Sequence, residues 1–287
     1  MKIIVTGSLG NVSKPLAQRL VAQGHDVTVI SSNPAKQAQI EALGAAAAIG
    51  SLENAEFLYQ TIKCADAVYC MIPLSFTEPD LQVYLRNIAE NYVEALQQAQ
   101  VKRVVVLSGW VADILEGENM ESPFEAITEA SLTYLRPGSF YTNFYQSMDL
   151  IRNTGMLMGN CGGEDRIVFV SPLDVADAAV EELLNLASTR TIRYVGSEEM
   201  TCNEAARIIG DAIGVPGLKW LLLSKDQMLE GMKAAHVPQS AAETLVAMQE
   251  AMHSGKPLEN FHKNNPAMGR VKLADFAREF ALAFQNV

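Results

Sequence analysis

The sequence predicts an α/β protein: a doubly wound parallel sheet with helices on both faces, followed by a smaller, mostly helical C-terminal lobe. Three observations lead there. Short β-branched runs without polar alternation, such as Lys2-Ile3-Ile4-Val5-Thr6 and Arg103-Val104-Val105-Val106-Leu107, are the pattern of strands buried on both faces. These runs alternate with stretches whose apolar residues recur at helical spacing, which makes a sheet of five or six βα repeats. Beyond Asn143 the alternation fades into helices around one or two short strands.

Taken in order, Lys2–Thr6 is the first strand, and the chain turns through Gly7-x-x-Gly10 into a helix striped by Val12, Pro15, Leu16, Leu20 and Val21. Pro15 puts the helix start just before it, because proline is tolerated only in a first turn. Gly24 caps that helix and Asp26–Ser31 is the second strand. Asn33-Pro34 starts a helix over 36–43 that ends at Gly44. Strands follow at 45–50 and 65–71, with a helix over 53–63 between them. A long amphipathic helix covers 81–98, carrying Leu81, Tyr84, Leu85, Ile88, Tyr92, Val93 and Leu96 on its apolar side. The fifth strand is 103–107, then a helix near 122–130 and a sixth strand at 132–135. Residues 144–153 read as helix, 166–170 and 191–195 as strands, and a helix opens at Asp174. Thr201-Cys202-Asn203-Glu204 and Ser224-Lys225-Asp226-Gln227 are capping boxes that start late helices. Residues 1–155, with 166–190 returning to them, are assigned to the large domain, and 191–287 to a lobe that closes a cleft against it.

Composition narrows the function. The 287 residues suffice for a full core, and 49% hydrophobic with 19% charged residues is the balance of a globular protein. No run approaches the roughly 18 apolar residues that span a bilayer. The opening residues read as a strand and not as a charged-then-apolar leader, so no signal peptide is expected. Cys64, Cys70, Cys161 and Cys202 are scattered without a C-x-x-C pair, which argues against zinc or a disulfide framework and for a reducing cytoplasm. His25, His236, His253 and His262 have no metal or triad spacing, so no metal is expected. A net charge of −11 opposes nucleic acid and anionic membranes as partners.

Strand, glycine turn and helix N-terminus in that order make an anion site, since the helix offers unpaired N–H groups and a partial positive charge. Gly7 permits the tight turn and Gly10 a close backbone approach to a pyrophosphate. Ser13 stands where a third glycine commonly governs helix–strand packing. The reading is a dinucleotide site built from Thr6, Gly7, Leu9, Gly10, Asn11 and Val12. Strand two ends in Ser31-Ser32-Asn33, with Lys36 nearby and no carboxylate. Hydroxyls and a lysine suit a 2′-phosphate, which favours NADP over NAD. Ligands to such a sheet lie beyond the strand ends, which adds Ser51, Leu52, Met71, Ile72 and Pro73 to the cofactor set.

Together Val5-Thr6-Gly7-Ser8-Leu9-Gly10, Asp66-Ala67-Val68-Tyr69 before Met71-Ile72-Pro73, Val104-Val105-Val106-Leu107-Ser108, Leu135-Arg136-Pro137-Gly138-Ser139-Phe140-Tyr141-Thr142-Asn143 and Asp174-Val175-Ala176-Asp177-Ala178 resemble the NmrA-like family of atypical short-chain dehydrogenase/reductase proteins. The late Thr201-x-x-Glu204 and Ile213-Gly214 extend the likeness over most of the chain. The resemblance implies an NAD(P)-binding Rossmann domain and a lobe that closes a substrate pocket. It also implies a serine after strand five paired with Tyr-x-x-x-Lys on the next helix, and here the chain departs. Ser108 is present, but 111–130 holds neither tyrosine nor lysine. Glu118, Glu121, Glu125 and Glu129 in that stretch read as a solvated helix face. A second departure is Ser32, where many relatives carry an arginine for the 2′-phosphate.

Ser108 is open to two readings, a hydrogen-bond donor to a substrate carbonyl or a cap on the strand end. Tyr141 and Tyr145 face the expected cleft, where either is placed to protonate a quinone or carbonyl oxygen, though packing is the commoner fate of such rings. Trp110, Tyr141 and Asn143 are the expected substrate-pocket residues, and Asn143 equally fits a turn. Arg136 reads as a structural tie to a carboxylate. Two functions follow. One is an NAD(P)H-dependent oxidoreductase passing hydride to a quinone-like or other small electrophile without the Tyr–Lys pair. The other is a non-catalytic NAD(P) redox sensor acting through a protein partner. A homodimer is compatible with either, and an epimerase is disfavoured by the missing tyrosine.

Overall fold

The computed structural model describes residues 1–75, 77–115, 119–185, 187 and 190–286. The elements are β1 (Lys2–Val5), α1 (Ser13–Ala22), β2 (Asp26–Ser31), α2 (Gln37–Glu41), β3 (Ala46–Ile49), α3 (Ala55–Ile62), β4 (Ala67–Met71), α4 (Leu81–Gln98) and β5 (Arg103–Leu107). Then come β6 (Ser131–Pro137), β7 (Ser139–Phe140), α5 (Met148–Thr154), β8 (Met156–Gly159), β9 (Arg166–Val170), α6 (Pro172–Leu184), β10 (Arg190–Val195) and β11 (Glu198–Thr201). The chain ends with α7 (Cys202–Ile213), β12 (Lys219–Leu222), α8 (Lys225–Ala234), α9 (Gln239–His253), α10 (Lys256–Asn264) and α11 (Leu273–Gln285). Short 3-10 segments lie at Pro34–Lys36, Ser122–Ala126 and Tyr141–Ser147.

Among the described residues one sheet runs β10-β6-β5-β4-β1-β2-β3, every pair parallel. Alternation along the strands sorts its two faces. Ile4, Val68, Cys70, Val104 and Val106 pack under α3 and α4. Ile3, Val5, Tyr69 and Val105 pack on the other side, under α1 and α6. This is the doubly wound sheet expected, because strands buried on both faces have no polar side to show.

Three expectations are corrected. Residues 191–195, assigned to the smaller lobe, belong with Arg190 to the edge strand of the large sheet, parallel to β6. Their exposure alternates over Arg190–Arg193, as an edge strand allows, so they lack the apolar run that marks the central strands. The helix expected near 122–130 shrinks to the 3-10 turn Ser122–Ala126, and Ile127 turns extended to bury its side chain. The helix expected from Phe144 likewise begins as a 3-10 segment and becomes α-helical only at Met148.

The C-terminal elements surround an aromatic core in which Tyr141, Phe144, Phe169, Phe276 and Phe280 contact one another. Both capping boxes form, Thr201 with Glu204 and Ser224 with Gln227. Asp174, buried at the start of α6, accepts from Ser197 Oγ at 2.6 Å and from the amides of Arg270 and Val271 at 3.1 and 3.2 Å. It thereby straps the segment before α11 to the Rossmann sheet. No helix of the described residues is long and apolar enough to cross a membrane.

Candidate active site

The turn after β1 leaves several main-chain donors unspent. Gly7 has φ +90°, and Ser8 follows at φ +55°, a conformation side chains rarely adopt. Ser8 N–H donates to Ile30 O, Gly10 N–H to Gly7 O and Lys14 N–H to Gly10 O, each at 3.0 Å. The N–H groups of Leu9, Asn11 and Val12 find no partner among the described residues. Ser13 replaces the third glycine with a device of its own. Its buried hydroxyl donates to Thr6 O at 2.7 Å, and a Cβ on Gly7 would lie 2.5 Å from the Ser13 Oγ. Serine therefore still seals helix to strand, at the cost of making Gly7 irreplaceable.

The other cofactor residues divide into supports and exposed groups. Thr6 is fully buried, its hydroxyl donating to Tyr69 O at 3.1 Å and accepting from Met71 N at 2.8 Å, so it ties β1 to β4 beneath the turn. Ser31 is buried and accepts from Ser8 Oγ at 2.9 Å and Asn33 N at 3.2 Å. Asn33 caps the following 3-10 turn through Ala35 N, and Lys36 Nζ leans on Gln39 at 3.4 Å. The Ser32 side chain is exposed. Ser51 accepts from Glu53 N, and Asn91 holds the Leu52 carbonyl at 3.1 Å. Met71 and Pro73 are half-buried beside buried Ile72, and Tyr92 donates to Met71 O at 3.0 Å.

Past β5 the structure assembles something the sequence reading missed. Glu121, expected on a solvated face, is buried. Ser108 Oγ donates to Glu121 Oε1 at 2.5 Å, and Arg136 grips both carboxylate oxygens, at 2.9 and 2.7 Å. Arg136 reaches Asp113 at 3.1 Å and Tyr194 at 3.2 Å, and Asn260 of α10 donates to Asp113 at 3.0 Å. Burial pulls the Arg136 pKa down, but bonding to Glu121 outweighs it and the guanidinium stays charged. Arg136 is the structural tie expected of it. One clue was in view: 111–130 holds acids and no cation, so a buried arginine at the end of β6 had its partner there. Glu125 and Glu129 are exposed as expected, Glu125 pairing with Arg190, while Glu118 lies outside the described residues.

The expected pocket residues are not gathered on Ser108. Trp110 and Tyr141 are buried in the C-terminal core, Asn143 is exposed, and Tyr145 lies against Phe276 and Phe280 of α11. The Tyr141 hydroxyl is shared between Glu198 Oε2 at 3.0 Å and Val271 O at 3.2 Å. Burial, and then the Glu198 carboxylate, raise its pKa, the opposite of what a proton-donating tyrosine needs. Tyr141→Phe is accordingly expected to cost about 1 kcal/mol of stability and to leave kcat/KM within about twofold. A large loss of turnover with unchanged melting would restore Tyr141 to the chemistry.

Residues 7–156 match the NAD(P)H-binding family. Over 292 aligned residues the chain is 23% identical to the NAD(P)H azoreductase of Xenophilus azovorans, covering 98% of this chain and 99% of that one. Its fold is similar to the triphenylmethane reductase of Citrobacter sp., with TM-score 0.75 and 18% identity over 99% of this chain and 100% of the other. It is similar too to the NADPH-dependent quinone oxidoreductase of Escherichia coli solved with NADPH, with TM-score 0.75 and 17% identity over 97% of this chain and 99% of that one.

Proposed function

The chain belongs to the NAD(P)H-binding family, within the NmrA-like, atypical short-chain dehydrogenase/reductase group, and on that premise we propose an oxidoreductase. It passes hydride from NADPH to a quinone-like or other small electrophile, azo compounds included, without a Tyr-x-x-x-Lys pair. The observation that carries this reading is the opening of α1. Three main-chain N–H groups without partners, at the positive end of a ten-residue helix, fit a diphosphate. Support for NADP comes from the end of β2, where Ser32 is exposed, Lys36 stands near and no carboxylate opposes a 2′-phosphate. The bound coenzyme supplies the hydride.

The chain's share is positioning. Gly7 and Gly10 admit the diphosphate, Met71, Ile72 and Pro73 close the nicotinamide end, and the C-terminal lobe shuts out water. The proton that completes the two-electron reduction of a C=O or N=N group is taken up from solvent as the reduced product leaves, because Tyr141 is committed elsewhere and 111–130 has neither tyrosine nor lysine. The test is oxidation of NADPH and NADH over a panel of quinones and azo compounds, beside calorimetric coenzyme binding. Turnover above buffer, faster with NADPH, is expected. Bound coenzyme without turnover overturns the oxidoreductase, and unequal affinity for the two redox states would then favour a sensor acting on a protein partner. Faster turnover with NADH overturns the coenzyme preference alone.

A further inference from the structure

The large sheet ends at β10, and the far edge of that strand is open. In a parallel pair the N–H and C=O of one residue face the same neighbour, and successive residues face opposite ways. Gly138 N–H donates to Val195 O at 3.0 Å, so Val195, Arg193 and Thr191 face β6. Ile192 and Tyr194 turn their main-chain groups outward, as does Gly196, whose carbonyl accepts from Gly269 N–H at 2.7 Å. The segment before α11 thus takes one place on the edge and leaves the rest. The N–H and C=O groups of Ile192 and Tyr194 have no partner among the described residues. They border a groove of about 660 Å³ between β10, α1, α6 and residues 264–270, where Ile192 is 47% and Met268 42% exposed. Charges in the groove are unequally spent. Asp174 accepts from Ser197 and two amides, Asp177 pairs with Arg19 Nε at 2.7 Å, and Glu181 pairs with Arg193 at 2.6 Å. By contrast Arg19 Nη1 is buried without a partner, and the exposed Arg270 guanidinium has none among the described residues. What the groove still has to offer is a strand edge and positive charge.

We propose that the outer edge of β10 is a docking groove for an acidic, extended segment of a partner protein, which adds to the sheet as a further strand. Main-chain hydrogen bonds to Ile192 and Tyr194 hold it, and they match the alternating donors and acceptors of an extended chain. Alternate side chains of the added strand turn to opposite faces. On one face they lie over α6, the side to which Arg193 reaches for Glu181 and Glu182, and carboxylates there meet Arg19 and Arg270. On the other they lie beside Ile192. A second copy of this chain is the poorer occupant. Pairing β10 with itself brings Arg190 and Arg193 of both strands onto one ladder, and like charges across a ladder repel. The groove goes beyond the oxidoreductase reading and does not depend on it.

The experiment titrates the full chain into a fluorescein-labelled hexapeptide of alternating glutamate and valine and follows anisotropy. Binding with a Kd below about 1 mM is expected, and weaker binding by about tenfold or more for the lysine–valine counterpart. Methylating alternate amide nitrogens of the glutamate peptide should abolish binding, because it removes the donors that face the edge. Ile192→Pro removes an outward N–H and spares every bond to β6, a place where an edge strand tolerates proline. It should keep the wild-type melt and circular dichroism while losing about tenfold or more in peptide affinity. Arg270→Glu should weaken the glutamate peptide and strengthen the lysine one, a reversal that general damage to the fold cannot produce. No binding of the glutamate peptide at 1 mM overturns the proposal, and so does equal binding of the lysine peptide. Affinity that survives both amide methylation and Ile192→Pro overturns strand addition. A dimer in sedimentation that Ile192→Pro dissolves puts a second copy on the edge and overturns the partner.

Discussion

Glu121→Ala is expected to lower the melting temperature by about 6–12 °C, the counterpart of about 3 kcal/mol in a chain of this size. The reason is what it leaves behind. Arg136 is buried and loses both short bonds to the carboxylate, and Ser108 loses its acceptor. Removing one partner of a buried pair strands the other charge in a medium that solvates it poorly. The loss stays at the lower end of the usual range because Asp113 and Tyr194 still hold one edge of the guanidinium. Glu125→Ala is the matched comparison, four residues on. Glu125 is exposed and pairs with exposed Arg190, and Tyr134, which also donates to it, keeps the Glu121 carbonyl as acceptor, so its removal should cost no more than about 1 kcal/mol, a shift of about 2–4 °C. Equal shifts for the two variants would mean that Glu121 sits in water and the buried cluster is wrong.

The same glutamate marks where reading the chain ran short. Strands β1, β4 and β5 could be read because burial on both faces leaves apolar runs, β2 from its β-branched Val27-Thr28-Val29-Ile30, and α4 because Leu81, Leu85, Ile88, Tyr92 and Leu96 repeat at helical period. Strands β7, β8, β11 and β12 span two to four residues each, too short for any period to declare itself. Glu121 failed differently. The five glutamates between 111 and 130 look alike until the fold carries β6 back beside β5, and then Arg136 draws in Glu121 and leaves Glu125 and Glu129 outside. The packing of the glycine turn after β1 could be read down to its substitute: Ser13 in the third glycine's place ties helix to strand by a hydrogen bond to Thr6 O. Tyr141 could not, since nothing local says that Glu198, 57 residues on, accepts from its hydroxyl.

Gly10→Glu is expected to abolish coenzyme binding while leaving the fold nearly untouched. Gly10 has no special backbone angle, and a Cβ there would approach one atom closely, Gly7 O at 3.0 Å. The neighbour must yield by a few tenths of an ångström, so Gly10→Ala, the steric control, should cost less than about tenfold in affinity. The carboxylate adds charge to that bulk. At the opening of α1 it is well placed to accept from the unpartnered N–H groups of Leu9, Asn11 and Val12 and to fill the anion site itself. A negative charge beside a helix N-terminus stabilises the helix, so the melt should hold or rise slightly. For the coenzyme the same charge is repulsive, by about 4 kcal/mol for unit charges 4 Å apart at an effective dielectric of 20. That is roughly a thousandfold in Kd, which calorimetric titration with NADPH and NADP⁺ would read as loss of measurable heat. The contrast with Gly7 is instructive, since any side chain there meets Ser13 Oγ and a φ of +90°, and would damage binding and fold together. Unchanged affinity in a folded Gly10→Glu protein would mean that the diphosphate does not lie on these amides, and the coenzyme assignment would fall with it.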